Sequence, residues 1–150
     1  MEFKDFLVRA KINTYATAGE GGEKRLNDGS KELIYKEGDF IYRDRYFGAL
    51  SFVGEEIVFK NKIPIWGMNY CGATMDPSMT NEKVADFLKR ALRAVTSDMP
   101  FRGPSEFKEG DWFYINQVSG DVNSFSGHEE IKYKDHAVYK LDYHGGIIKK

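Results

Sequence analysis

One cysteine, Cys71, stands in the whole chain. An intramolecular disulfide is therefore excluded, which suits a reducing compartment. Histidine is nearly as scarce: His128, His136 and His144 lie at intervals of eight residues. A zinc site draws on tight, convergent spacings of His and Cys, so no metal and no other cofactor is expected. No stretch approaches the ~20 consecutive apolar residues of a membrane-spanning helix. The first residues, Met-Glu-Phe-Lys-Asp-Phe-Leu, carry acids and no long apolar run, unlike a signal peptide. The expectation is a cytoplasmic protein with no membrane partner. An excess of either charge is missing too. Lys and Arg number 22 against 23 Asp and Glu, mixed along the chain, for a net charge of -1. Binding to nucleic acid displaces counterions with a basic stripe, and this chain alone has none. The glycine-rich run from Ala18 to Ser30 lacks the Gly-Lys-Ser/Thr ending of a phosphate-cradling loop and follows a helix, so it reads as a surface loop.

What the chain does have is aromatic residues, 15% of the total, and a repeat. Tyr-Lys-Glu-Gly-Asp-Phe-Ile-Tyr (Tyr35 to Tyr42) matches Phe-Lys-Glu-Gly-Asp-Trp-Phe-Tyr (Phe107 to Tyr114). Ser51, Phe52, Gly54 and Glu56 fall on Ser124, Phe125, Gly127 and Glu129. Ile65, Trp66, Met68, Tyr70 and Gly72 fall on Val138, Tyr139, Leu141, Tyr143 and Gly145. One extra residue near Gly120-Asp121 keeps the register. Asp5-Phe-Leu-Val-Arg-Ala10 also matches Asp86-Phe-Leu-Lys-Arg-Ala91. Spacing preserved over such a length reads as an internal duplication, with repeats at about 2–72 and 82–145.

Periodicity assigns the elements. Phe3, Phe6, Leu7 and Ala10 form one helical stripe, from about Glu2 to Tyr15. Val84, Phe87, Leu88, Ala91, Leu92 and Val95 form another, opened by Thr80 or Asn81 and running to about Thr96. Lys31 to Tyr46 reads as a strand, with a tight turn or kink at Lys36-Glu37-Gly38-Asp39. Glu55 to Phe59 and Ile63 to Tyr70 read as a hairpin closed at Lys60-Asn61-Lys62. The second copy gives strands at about Glu109 to Gln117, Glu129 to Lys134 and Ala137 to Tyr143. The predicted class is α+β: a helix-plus-three-strand unit in tandem, with a predominantly antiparallel sheet and a pseudo-two-fold axis. Pairing the units buries both half-apolar faces, so residues 1–150 are expected to form one domain.

Several runs carry a family likeness: Tyr46-Phe-Gly48, Phe52-Val-Gly-Glu-Glu56, Ile65-Trp-Gly-Met-Asn-Tyr-Cys-Gly72, Pro100-Phe-Arg-Gly-Pro104 and Tyr143-His-Gly-Gly146. Together they resemble an uncharacterised bacterial domain family whose members occur alone or C-terminal to helix-turn-helix DNA-binding domains. The resemblance implies no reaction. It implies a sensor of small molecules, a role common for domains behind DNA-binding modules.

Candidate site residues follow from alternation. Trp66, Met68 and Tyr70 share one strand face, opposite Asn69 and Cys71. Tyr139, Leu141 and Tyr143 share a face, opposite Asp142 and His144. If the last strands of the two units lie side by side, Asn69, Cys71, Asp142 and His144 converge on a pocket or its rim. Trp66 and Tyr139 form the opposite packing face and are counted with the ligand-binding residues. The leading expectation is a small-molecule-binding module without catalytic activity. One alternative is a hydrolase or transferase in which a Cys71 thiolate is activated by His144. Another uses Glu56 and Glu129 as paired acid and base, although these read first as strand-end surface charges. A third is a protein-interaction module or homodimer that uses an exposed strand edge.

Overall fold

A computed structural model describes residues 2–16, 23–76 and 78–150. Residues 18–22 of the predicted glycine-rich loop and Pro77 of the connector lie outside the described residues. The elements run α1 (Phe3–Asn13), β1 (Lys24–Arg25), β2 (Lys31–Glu37), β3 (Phe40–Gly48), β4 (Ser51–Lys60), β5 (Ile63–Thr74), α2 (Asn81–Leu92), β6 (Glu106–Glu109), β7 (Trp112–Asp121), β8 (Ser124–Tyr133) and β9 (His136–Ile147). All nine strands form one antiparallel sheet in the order β1-β2-β3-β4-β5-β9-β8-β7-β6. Read inward from either edge, the strands come in chain order and meet at the β5–β9 pair.

Where periodicity suggested three strands in each half, the first half has five, the short β1 among them, and the second has four. Lys31 to Tyr46 is two strands, because Gly38 adopts φ 58° and turns the chain back on itself. Glu37 pairs directly with Phe40, leaving Gly38-Asp39 as a two-residue hairpin loop. Gly110, at φ 59°, does the same between β6 and β7. The β4–β5 and β8–β9 hairpins close on Asn61-Lys62 and Lys134-Asp135, all four at positive φ, as a type I′ turn demands. The extra residue that the sequence match requires falls in the β7–β8 turn. Gly48 pairs with Phe52 across three residues, whereas Gly120 pairs with Phe125 across four.

Both helices lie on one face of the sheet and bury their apolar stripes there. Phe6 stacks on Phe40 and Phe87 on Trp112, at centroid distances of 4.9 and 5.2 Å. Thr80 caps α2, its Oγ1 accepting from the Lys83 N–H at 3.3 Å. The helices end earlier than the apolar periodicity, which continues into Val95 after α2 has stopped at Leu92. Tyr42, Trp66, Met68, Tyr114, Ile131, Tyr139 and Leu141 fill the space beneath them. Among the described residues, the other face of the sheet carries no helix. Among the described residues, no helix is long and apolar enough to cross a membrane.

Candidate functional site

The β5–β9 pairing sets the register at the middle of the sheet. Asn69 lies opposite His144 and Cys71 opposite Asp142. Alternation turns all four toward the helix-free face, and they line a single groove of about 1020 Å³. Neighbouring strands complete its walls: Arg45 and Phe47 from β3, Val53 and Glu55 from β4, Ser126 and His128 from β8, Gln117 and Ser119 from β7. It adjoins a second depression of about 550 Å³ that shares Phe47, Val53, Cys71 and Asp142.

His128 is the electrostatic anchor of the groove. Its Nδ1 lies 2.7 Å from Asp142 Oδ1, and its Nε2 lies 3.3 Å from Glu130 Oε2. The bond to Asp142 holds its pKa above the usual imidazole value, against a smaller opposing effect of burial. Cys71 is exposed. It faces Asp142 in register and stands diagonal to His144, a separation of about 7–8 Å between Cα atoms in such pairs. Among the described residues, no hydrogen bond joins Cys71 to His144, and the Asp142 carboxylate is engaged by His128 instead.

Trp66 and Tyr139 are not part of this groove. Both point to the helix side and are buried. Trp66 Nε1 donates to the Val122 carbonyl at 3.1 Å, and the Tyr139 hydroxyl donates to Glu129 Oε1 at 2.7 Å.

The glutamates correct a sequence expectation. Glu56 is 1% exposed and Glu129 0%, so neither is a surface charge. Each lies on the core face of its strand and is matched by a cation. Lys11 Nζ donates to Glu56 Oε1 at 2.6 Å and to the Phe101 carbonyl at 2.5 Å. Arg102 Nη2 donates to Glu129 Oε1 at 2.8 Å. Tyrosines complete both sets: Tyr42 on Glu56 at 2.6 Å, Tyr114 on Glu129 at 2.5 Å. A second layer repeats as well. The Tyr70 hydroxyl donates to Asp44 at 2.5 Å, and the Tyr143 hydroxyl donates to Asn116 at 2.8 Å.

Burial sets the protonation states here. It works against the charge on both cations. For Lys11 it outweighs the pull of Glu56 and the pKa falls, whereas for Arg102 the Glu129 carboxylate wins and the pKa rises. Burial and the nearby carboxylates hold the Tyr42, Tyr70, Tyr114 and Tyr139 phenols well above the usual value, so they act as neutral donors. Among the described residues no cation pairs with Asp44, and burial followed by Glu56 raises it to about 7. Both ion pairs are enclosed, and every buried polar side-chain atom among the described residues has a partner. Chemically, this is a pair of neutralised anchors that fix the helix-side core.

Lys11, Asp44, Arg102 and Asn116 were missed by sequence reasoning. One signal was present: Glu56 shares strand parity with Phe52 and Val58, and Glu129 with Phe125 and Ile131. Among the described residues, no cluster of three or more His, Cys, Asp or Glu is arranged to hold a metal ion.

No curated protein and no solved structure matches the chain. One family model does, over residues 44–148, from within β3 to the end of the sheet: a domain of unknown function, DUF5680. That span holds the whole groove and both buried glutamates, and the chain belongs to this family.

Proposed function

We propose that the chain is a sensor-like domain that binds a small polar molecule in the groove astride β5 and β9, without catalysing a reaction on it. The observation that carries this reading is the groove's make-up. Small-molecule sites run to roughly 300–1,000 Å³ and place a few polar groups on a rigid frame. Here Asn69, Asp142 and His144 project from paired central strands into about 1020 Å³, with Arg45, Glu55 and His128 around them. Donors, acceptors and both signs of charge suit a polar or zwitterionic ligand. The resemblance to bacterial domains found behind helix-turn-helix modules supports a sensing role in the cytoplasm. On this reading the two arms are copies of one helix-plus-four-strand unit about a pseudo-two-fold axis at β5–β9. The groove is then the seam where the copies meet.

Thermal-shift screening against a metabolite library tests the proposal, because a ligand that binds only the folded state raises its midpoint by mass action. Binding should weaken by about tenfold or more in His144→Ala, which removes a polar orienting group. It should stay within a few-fold in Cys71→Ala. No response from any compound well above plausible affinities would end the proposal.

A second reading has one observation in its favour: Cys71 is exposed in the groove and shares its face with His144. A hydrolase or transferase built on this pair would have a thiol that iodoacetamide alkylates faster than free cysteine near neutral pH, and Cys71→Ala would abolish turnover. Alkylation at the free-cysteine rate removes it.

A further inference from the structure

A second cavity lies on the opposite side of the sheet, where α2 meets the β3–β4 turn. Tyr46, Phe52, Tyr70, Leu88, Arg102 and Tyr139 form its walls. Its enclosed part measures about 40 Å³, room for about three waters at roughly 10–15 Å³ each, and its mouth opens to solvent. Rings dominate the walls, with Phe52 stacked against Tyr139 at 6.4 Å.

The chain contains its own comparison for this space. The matching that aligns the two arms is part of the reading proposed above, and this inference rests on that matching, although not on the groove. Phe52 corresponds to Phe125, Tyr139 to Trp66 and Val84 to Phe3. The mirror location is therefore the space over Phe125, and there it is filled. The Trp66 indole stacks on Phe125 at 5.6 Å, and Phe3 meets Trp66 edge-on at 6.0 Å. The Trp66 Nε1–H donates to the carbonyl of Val122, in the β7–β8 turn, at 3.1 Å.

Turn geometry carries the match down to that carbonyl. Thr74 N donates to Leu50 O at 2.8 Å, and Ile147 N donates to Asn123 O at 3.1 Å, one residue before each in equivalent places being Ala49 and Val122. Ala49 lines the cavity. Where the mirror site has Phe3 and Trp66, the cavity has the smaller Val84 and a Tyr139 whose hydroxyl is committed to Glu129. One arm thus fills this space with an indole bonded to a turn carbonyl, and among the described residues the other leaves it open.

We infer that the cavity over Phe52 binds a small planar aromatic molecule bearing an N–H donor, of the indole class, with its ring against Phe52 and its N–H on the Ala49 carbonyl. One edge of the ring enters the enclosed part, and the rest lies in the mouth beside Ala85. Flat rings gain from stacked and edge-on contacts with such walls, and a buried N–H needs an acceptor.

The test uses indole, and indene as the isostere without the N–H, with the full-length protein. Indole should raise the unfolding midpoint and give intermolecular NOEs to the Val84 and Leu88 methyls. Indene should bind about five- to tenfold more weakly. Val84→Phe supplies the ring that Phe3 supplies on the other side and should weaken indole binding by about tenfold or more. Should that variant fail to fold, Ala85→Leu narrows the mouth from a less buried position and should do the same. The inference is overturned by any of three results: no NOEs to Val84 or Leu88 at indole's solubility limit, equal binding of indene, or binding unchanged in the folded variant. NOEs confined to Asn69 and His144 would overturn this site while leaving the groove proposal intact.

Discussion

Replacing Glu129 by glutamine changes one atom's identity and removes one buried charge. The carboxylate is 0% exposed and accepts from the Arg102 guanidinium at 2.8 Å, the Tyr114 hydroxyl at 2.5 Å and the Tyr139 hydroxyl at 2.7 Å. Glutamine keeps the volume and one acceptor oxygen. Its amide group, however, turns two donors toward groups that are themselves donors. Arg102, also buried, is left without a counter-charge. Breaking one side of a buried pair costs ~3–5 kcal/mol, because the remaining ion has lost its hydration and gained nothing in return. For a chain of this length, 1 kcal/mol moves the midpoint by about 2–4 °C, so Glu129→Gln should melt roughly 6–20 °C below wild type. Urea unfolding followed by tryptophan fluorescence measures the same loss at equilibrium. The double variant Arg102→Met, Glu129→Gln removes the orphan charge and should recover more than half of it. A single variant within about 1 kcal/mol of wild type, or a double variant no better than the single, would refute the reasoning.

Asp44 predicts a pH dependence. An unfolded aspartate ionises near ~3.9, whereas buried Asp44 keeps its proton up to about 7. Between those values the folded state binds the extra proton. Its contribution is therefore full at low pH and is lost as pH rises toward neutrality, at up to ~1.4 kcal/mol per pH unit. Asp44→Asn, which copies Asn116 of the other arm, should remove that slope, match wild type near the acid end and exceed it above neutrality; an unchanged slope in urea titrations at several pH values contradicts this. His128 should titrate above the usual imidazole value by NMR and move down in Asp142→Asn, and a midpoint indifferent to that substitution would show that their bond is not formed in solution. Gly54→Ala and Gly127→Ala should each lose stability at the upper end of the ~1–3 kcal/mol of overpacking. An added Cβ would land inside the Tyr70 or Tyr143 ring, and those rings are tethered through their hydroxyls to Asp44 and Asn116. A neutral effect on thermal denaturation would mean that the rings move freely.

Much of this architecture was legible in hydrophobic period and turn residues. The two helices, the hairpins at Asn61 and Lys134, and the opposite facing of Trp66 and Asn69 all follow from period and turn chemistry. The hairpin between β2 and β3 also had a mark. The inward-facing positions pass from odd, at buried Leu33 and half-buried Tyr35, to even, at buried Phe40, Tyr42 and Asp44, and that parity change falls at Gly38-Asp39. A two-residue turn produces it, whereas a kink in one strand does not. The buried glutamates were harder to see. A charged residue on a core face becomes intelligible only when its cation is known, and Lys11 and Arg102 come from a helix end and a proline-flanked loop distant in sequence. Long-range partners of that kind leave no local pattern. The convergence of Asn69, Cys71, Asp142 and His144 was conditional on which strands pair at the centre, and the β5–β9 register meets that condition.

The central claim, that the seam between the arms is a ligand site, is tested most directly by amide chemical-shift mapping. Uniformly 15N-labelled protein is titrated with the compounds that raise its melting midpoint. The account predicts saturable shifts concentrated at Asn69, Cys71, Asp142 and His144 and at their neighbours Glu55 and His128, abolished or weakened in His144→Ala. Shifts that leave these residues untouched, or a complete absence of saturable binding, would contradict it.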